Sequence, residues 1–212
     1  MNANDRSIVG VVMLAHATVH TYELSIPILM TIWIERFGVT PATMGAVAAV
    51  GYALFGLGSL PAGVLADMYG SRRLILVCLA AMGGSFVLLS VSTGVVVIAV
   101  ALALWGAGAS LYHPSGLSLI STGVEERGKG FAYHGIAGNA GIALGPLATT
   151  VALLFLGWRS VVVLLGLPAL VATLLVLGVG VDEEAAVERE EADFGGSGER
   201  GDLSEELRGF AS

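Results

Sequence analysis

The stretch that decides the fold of this 212-residue chain is a short polar segment between two long apolar runs. Residues 63–73 read Gly-Val-Leu-Ala-Asp-Met-Tyr-Gly-Ser-Arg-Arg. Gly70 is expected to supply a tight turn with a positive φ, because glycine has no Cβ to obstruct it. Arg72 and Arg73 are placed to anchor the following helix at a membrane surface. Asp67 is placed to pair with a cation or a helix N-terminus, and Gly63 permits close contact between helices.

Apolar segments of membrane-spanning length lie on both sides of this loop and fill most of the chain. Crossing about 30 Å of hydrocarbon takes roughly 20 apolar helical residues. Six segments qualify, namely residues 7–34, 43–66, 74–91, 95–121, 131–156 and 160–181. The breaks between them are short and contain charged residues, glycine or proline. We therefore predict an all-α membrane protein, with a six-helix transmembrane bundle over residues 1–181.

Composition and charge exclude several other classes of protein. The chain is 55% hydrophobic and only 13% charged, with a mean hydropathy of +0.83, whereas soluble domains carry about 25% charged residues. A net charge of −7 offers nucleic acid no basic field. Residues 182–212 hold eleven acidic and three basic side chains, so that this tail carries −8 and the rest of the chain +1. The tail is expected to be a disordered or weakly helical segment resembling a linker.

The basic residues of the short loops predict the orientation in the membrane. With the N-terminus in the cytoplasm, that side holds five of them and the outside two. The five are Arg6, Arg72, Arg73, Arg127 and Lys129; the two are Arg36 and Arg159. The positive-inside rule therefore predicts a multi-pass protein of the cell membrane with both termini in the cytoplasm.

Three ionisable residues lie on one stripe of the first predicted span. His16, His20 and Glu23 stand at i, i+4 and i+7, within about 60° of arc at 100° per residue. An ionisable group at bilayer depth has to face a partner or a watery cavity. We expect Glu23 to bind a proton and the histidines to relay protons or contact a solute; histidines bonded to neighbouring helices are the plainer alternative. The three also suit a metal, but nearby spans add no Asp or Cys, and no metal is predicted.

Two loops resemble the major facilitator superfamily. Residues 63–73 are similar to its cytoplasmic signature, Gly-x-Leu-Ala-Asp-[Arg/Lys]-x-Gly-[Arg/Lys]-[Arg/Lys], apart from Met68 and Ser71, where the family usually has a base. Arg127 opens a second element, Arg-Gly-Lys-Gly, that resembles Arg-Gly-[Arg/Lys]-[Ala/Gly] in the loop after span four. The resemblance covers residues 7–181 and implies the N-terminal six-helix half of the major facilitator fold.

The fifth predicted span carries a glycine face. Gly138, Gly141 and Gly145 recur at spacings of three and four residues, and Pro146 follows them. Such spacing clears one side of a helix for close packing. The run resembles the Gly-x-x-x-Gly-Pro element of superfamily antiporters, which lies between the two halves and implies antiport. A packing face with no bearing on transport direction is the equal alternative.

The fourth predicted span adds Tyr112 and His113, which stand before Pro114. Together with His16, this His-Pro pair resembles the fosmidomycin-resistance branch of efflux proteins. Val19 and His20 occupy the positions where that branch tends to have Asn and Asp. The resemblance implies that Tyr112, His113 and Glu23 surround one central chamber. A hydrogen bond at the helix kink is the alternative for His113.

The sequence thus predicts half of a secondary transporter for a small solute, coupled to protons and with efflux favoured over uptake. Alternating access needs two six-helix halves, so the expected partner is a second half, either a separate chain or another copy. The other expected partners are the lipid bilayer, the solute and protons, with no cofactor. No nucleotide loop, His-Glu-x-x-His or Gly-x-Ser-x-Gly motif supports an enzyme. A membrane adaptor or an inactive fragment, with an acidic tail that binds a partner, is the alternative.

Overall fold

The computed structural model describes residues 1–198, and this part of the chain is built from nine α-helices. Their bounds are α1 Ala3–Phe37, α2 Pro41–Leu57, α3 Ser59–Tyr69, α4 Ser71–Ser90, α5 Val95–Ala109, α6 Tyr112–Gly123, α7 Arg127–Phe155, α8 Trp158–Gly178 and α9 Ala185–Gly198. Helices α5 and α6 follow each other as one span over Val95–Gly123, and α2 and α3 form a pair bent by 46°.

Length and composition identify four helices that are able to cross a membrane, or five when the bent pair counts as one span. They are α4, α5 with α6, α7 and α8, and the bent pair is α2 with α3. The remaining predicted span is α1, which has 35 residues but holds His16, His20 and Glu23 in its middle. These polar residues lower its apolarity, yet α1 packs inside the bundle against α6 and α7. The predicted all-α six-helix bundle is therefore observed, with α1 as its polar member.

Capping residues and glycines set the ends of the helices near the predicted breaks. The Asn2 side chain accepts a hydrogen bond from the Asp5 N–H at 2.7 Å and starts α1. Gly38 ends α1 with φ +61°, and Gly70 separates α3 from α4 with φ +87°. The positive φ predicted for Gly70 is confirmed, and a side chain at this position would strain the backbone.

The glycine face of α7 packs on α1. A Cβ at Gly138 would collide with the His16 ring, and one at Gly141 with the backbone oxygen of Ala17. At Gly145, a Cβ would lie 2.7 Å from the Cα of Thr21. These glycines therefore let the two helices approach closely within this chain, and the position predicted to lie between two halves is filled by α1.

The N-terminus and the segment after α8 meet at one end of the bundle. The Asn4 side chain donates to the backbone oxygen of Asp182 at 2.9 Å and accepts from its N–H at 2.9 Å. Arg127 pairs with Glu190 at 2.8 Å and Arg189 with Glu125 at 2.6 Å. The described part of the tail thus contains the helix α9, and these two ion pairs connect it to the bundle. Residues 199–212 lie outside the described residues.

Candidate functional site

All four histidines of the chain come together inside the bundle, and we call them the histidine cluster. His16 and His20 lie on α1, His113 in the first turn of α6 and His134 in the second turn of α7. The centre of the His16 ring is 4.7 Å from that of His20, 5.3 Å from that of His113 and 3.7 Å from that of His134. The cluster thus joins predicted spans one, four and five.

A continuous row of hydrogen bonds runs through the cluster. The Nδ1 atom of His16 is 2.8 Å from the backbone oxygen of His134, and its Nε2 atom is 2.9 Å from Nε2 of His20. The Nδ1 atom of His20 is in turn 2.7 Å from Oε2 of Glu23. A carbonyl oxygen only accepts, so Nδ1 of His16 carries hydrogen and Nε2 of a neutral His16 accepts from His20.

This row determines how many protons the His20–Glu23 pair holds. Since Nε2 of His20 donates to His16, its Nδ1 either donates to a carboxylate or accepts from a protonated Glu23. Either way, one proton lies between the two side chains. Without that proton, two acceptors would face each other at 2.7 Å and repel. The contact between His20 and Glu23 therefore depends on a hydrogen between Nδ1 and Oε2.

The row runs from the interior to a more open side of the bundle. His16 is buried, with 7% of its surface exposed, whereas the side chains of His20 and Glu23 are 16% and 24% exposed. The hydroxyl of Tyr52 on α2 donates to the backbone oxygen of Glu23 at 2.7 Å, which ties α2 to the same turn of α1. Glu23 and His20 are thus the more exposed members of the row.

His113 stands beside this row, and its ring takes part in none of these hydrogen bonds. The centre of its ring is 5.6 Å from that of His20 and 6.0 Å from that of Phe55. The ligating atoms of His16, His20 and His113 all lie within 4.8 Å of one another, close enough to hold a metal ion. This group differs from the sequence prediction, which placed Glu23 rather than His113 beside the two histidines and included no metal.

Tyr112 is placed differently from the prediction. Its side chain is fully buried, and its hydroxyl donates to the backbone oxygen of Val12 at 2.6 Å. Its ring lies 5.3 Å from that of His16, centre to centre. In this conformation Tyr112 therefore supports the cluster from inside the bundle and does not line an open chamber.

Sequence analysis assigned no role to His134, although its position carried a signal. His134 precedes Gly138, Gly141 and Gly145 by four, seven and eleven residues, so it lies on the same face of α7 as the glycines. The backbone oxygen of His134 accepts from His16, and its Nε2 atom is buried with no hydrogen-bond partner among the described residues. The spacing of His134 from these glycines was therefore the signal that could have placed it on the face of α7 that packs on α1.

The signature loop is held by a residue that sequence analysis did not single out. The carboxylate of Glu183 accepts from the N–H groups of Ser71 at 2.7 Å and Arg72 at 3.3 Å, at the N-terminus of α4. The Arg72 side chain donates to the backbone oxygens of Val176 at 2.8 Å and Leu177 at 3.0 Å. Glu183 thus takes the capping position proposed for Asp67.

Asp67 and Arg73, two further residues of the predicted signature loop, are exposed. Asp67 stands at the end of α3 and Arg73 in the first turn of α4, both on the surface. Gly63 is also open, since a Cβ there would meet no described atom within 4 Å. The close helix contact predicted for Gly63 is therefore not made among residues 1–198.

The fold and the cluster define a multi-pass membrane protein with a polar site inside its helical bundle. The family model of the Major Facilitator Superfamily matches residues 9–207. The chain therefore belongs to the major facilitator superfamily.

Two curated relatives are transporters by name. The 4-hydroxybenzoate transporter PcaK of Pseudomonas aeruginosa is 32% identical over 148 residues, which are 68% of this chain and 32% of that protein. A probable L-galactonate transporter of Escherichia coli is 25% identical over 146 residues, 62% of this chain and 30% of that protein. The chain thus spans about a third of the length of these relatives.

Solved structures show the same fold. A bacterial homologue of the human lysosomal transporter Spinster superposes with a TM-score of 0.75 at 15% identity, covering 90% of this chain and 48% of that chain. A human organic anion transporter superposes with a TM-score of 0.68 at 19% identity, covering 84% of this chain and 48% of that chain. The described bundle therefore corresponds to about half of each of these proteins.

Proposed function

We propose that the chain is one six-helix half of a secondary active transporter that moves a small solute by proton-coupled alternating access. The observation that carries this proposal is the row of hydrogen bonds from His16 through His20 to Glu23, half open at one end. Superfamily transporters bind solute between two such halves near the middle of the bilayer. Ionisable groups at that depth mark the pathway of an ion or a solute.

Glu23 and His20 are proposed as the proton-coupling pair. Loss of the proton between them turns an attractive contact of 2.7 Å into a repulsive one, so His20 and Glu23 separate. Their separation changes the groups offered to a solute at the open side of the cluster. His16, locked to α7 through the backbone oxygen of His134, keeps the inner end of the row in place.

The proposed solute is a small organic anion. The names of two relatives specify 4-hydroxybenzoate and L-galactonate, and that of a structural neighbour an organic anion. In this chain, the imidazole of His113, whose ring takes no part in the row of hydrogen bonds, supplies an N–H donor suited to a carboxylate. Tyr112 stays a supporting residue in this proposal, because its hydroxyl is already bonded to Val12.

The second half is proposed to approach the face of α2 and α3. Gly45, Gly56 and Gly63 lie on this bent pair, and a Cβ at any of them would meet no described atom within 4 Å. Small residues on a transmembrane helix favour close packing by another helix. The open face of this bent pair is thus the proposed contact surface for a second half.

For the direction of transport, we propose efflux by proton antiport. Two resemblances support this proposal: residues 141–146 resemble the antiporter element, and His113-Pro114 resembles the fosmidomycin-resistance branch. The glycines of that element also serve to pack α7 on α1. Measurements of solute flux into and out of liposomes are therefore the test that distinguishes efflux from uptake.

Both termini are proposed to lie in the cytoplasm of the cell. Asn4 bonds to Asp182, so the N-terminus and the start of the tail share one end of the bundle, and the basic loops favour the cytoplasmic side for that end. Protease added outside intact cells should leave the tail uncut. Cleavage of the tail there would overturn this orientation.

The adaptor alternative predicts a tail free to bind a partner. In the structure, Arg127 and Glu125 already pair with Glu190 and Arg189 of α9, so these contacts favour a linker role. If deletion of residues 182–212 removed a cytosolic partner and no solute gradient were ever dissipated, the adaptor reading would replace the transporter.

The proton-coupling test compares two identical substitutions on α1. We expect Glu23→Gln, in liposomes containing the chain with its second half, to abolish flux of 4-hydroxybenzoate or L-galactonate driven by a pH gradient. The glutamine keeps the shape but cannot take up the coupled proton. Glu35→Gln, at the exposed end of α1, is the matched control and should leave flux intact. Unchanged pH-driven flux in Glu23→Gln would refute the coupling role.

A further inference from the structure

The two α1 histidines are oriented as metal-bound histidines are. In metal sites, the ring nitrogen that does not bind the metal usually donates to a backbone carbonyl or a carboxylate. Here Nδ1 of His16 lies 2.8 Å from the backbone oxygen of His134, and Nδ1 of His20 lies 2.7 Å from Oε2 of Glu23. Both Nε2 atoms therefore point at each other, 2.9 Å apart.

We propose that His16, His20 and His113 form a binding site for a divalent transition-metal ion of the zinc class. The ion would join α1 to α6 through three imidazoles. This inference concerns the same cluster as the proposed function, but it stands on ligand geometry alone and requires no transport.

The distances suit such an ion after small side-chain movements. Nitrogens at 2.0–2.1 Å from a tetrahedral zinc ion lie about 3.3 Å from each other. The Nε2 atoms of His16 and His20 need to separate by only a few tenths of an ångström from 2.9 Å. One ring nitrogen of His113 lies within 4.8 Å of a ring nitrogen of each α1 histidine, so a rotation of its ring would bring it to the ion.

The ligand chemistry selects the class of ion. Three imidazoles suit zinc, cobalt, nickel and copper, whereas magnesium and calcium prefer oxygen ligands. Three protein ligands leave the fourth tetrahedral position open to water or another oxygen ligand. The partly exposed side chain of His20 gives an ion access to the site from the open side of the cluster.

The simpler alternative is that His16 and His20 form a hydrogen bond, with a proton between their two Nε2 atoms. In this alternative, His113 has no role in the contact. This reading and the metal site differ in what they predict for His113. A hydrogen-bonded pair needs only the two α1 histidines, whereas a three-imidazole site loses a ligand when His113 is replaced. His134, which stacks on His16 at 3.7 Å between ring centres, is not in the ligand group and provides a matched histidine control.

The test uses the full 212-residue chain, purified in detergent without a histidine tag. Titration with Co²⁺ is followed by its visible absorption, and titration with Zn²⁺ by calorimetry. We expect one ion per chain, absorption of a four-coordinate cobalt site, and affinities that rise from cobalt through nickel to copper. Mg²⁺ should give no saturable signal.

The variants separate ligands from bystanders. We expect His113→Gln and His20→Gln to weaken binding about 100-fold or more, and Glu23→Gln to weaken it about 10–100-fold by freeing the His20 ring. His134→Gln keeps the backbone acceptor and should bind like the unchanged chain. Circular dichroism confirms that each variant is folded. Zn²⁺ should also raise the Tm of the unchanged chain, and not that of His113→Gln, because a bound ion stabilises the folded state.

The inference is overturned if the unchanged chain shows no saturable binding, or if folded His113→Gln binds as tightly as the unchanged chain. If the unchanged chain bound the metal ion but did not take part in transport, only the proposed function would be contradicted. Intact transport without metal binding would contradict only the metal site.

Discussion

A single carboxylate shows how the segment after the last span is joined to the bundle. Glu183 accepts two backbone N–H groups at the start of α4, from Ser71 and Arg72, and its own backbone oxygen accepts from Thr122. The first N–H groups of a helix have no partner within the helix, and an acidic side chain there is also favoured by the helix dipole. The signature loop is thus completed by a residue more than 100 positions away in the sequence.

We expect Glu183→Ala to lower the stability of the folded chain by about 1 kcal/mol, the usual cost of losing a helix cap. The matched control is Glu184→Ala, since Glu184 is exposed and adjacent. Thermal unfolding of the two variants in the same detergent checks the prediction. Equal Tm values for both variants would show that the cap contributes nothing.

At the scale of the element, α7 shows what a residue pattern predicts and what it leaves open. The spacing of Gly138, Gly141 and Gly145 predicted a close-packed face, and the structure has one. The pattern did not identify the helix packed on it, because periodicity describes one helix and not its neighbour. The family resemblance implied a central chamber beside Tyr112, whereas in the structure the hydroxyl of Tyr112 donates to the backbone oxygen of Val12 on α1.

Replacing one glycine of this face should separate α1 from α7. We expect Gly141→Ala to destabilise the chain by about 1–3 kcal/mol, because its Cβ collides with the backbone of Ala17. Gly135→Ala is the control on the same helix, where a Cβ meets no described atom within 4 Å. It should be neutral or stabilising by up to about 1 kcal/mol, since alanine is the better helix former. Unfolding in detergent measures both, and a Gly141→Ala chain as stable as the control would contradict the packing argument.

At the scale of the whole molecule, the fold class was predictable because a membrane demands long apolar helices. The site was predictable in part. His16, His20 and Glu23 share a stripe that 3.6-residue periodicity reveals within one helix. The convergence of His113 and His134 on that stripe depends on how three helices pack, which no local pattern encodes. The position of α9 on the bundle was not predictable, because its ion pairs are made with Glu125 in the loop after α6 and Arg127 at the start of α7.

The open glycines of α2 and α3 lead to a prediction about assembly. If a second copy packs on this face, Gly56→Cys in two copies should be joined by a short thiol cross-linker in liposomes that contain only this chain. The single native cysteine, Cys78, is buried and gives no background. Leu174→Cys is the control, since Leu174 is 69% exposed and lies on α8, outside the bent pair. Denaturing electrophoresis should show a product of twice the chain mass for Gly56→Cys alone. Equal yields from both positions would indicate random collision. No product at either position would contradict the packing of a second copy on this face.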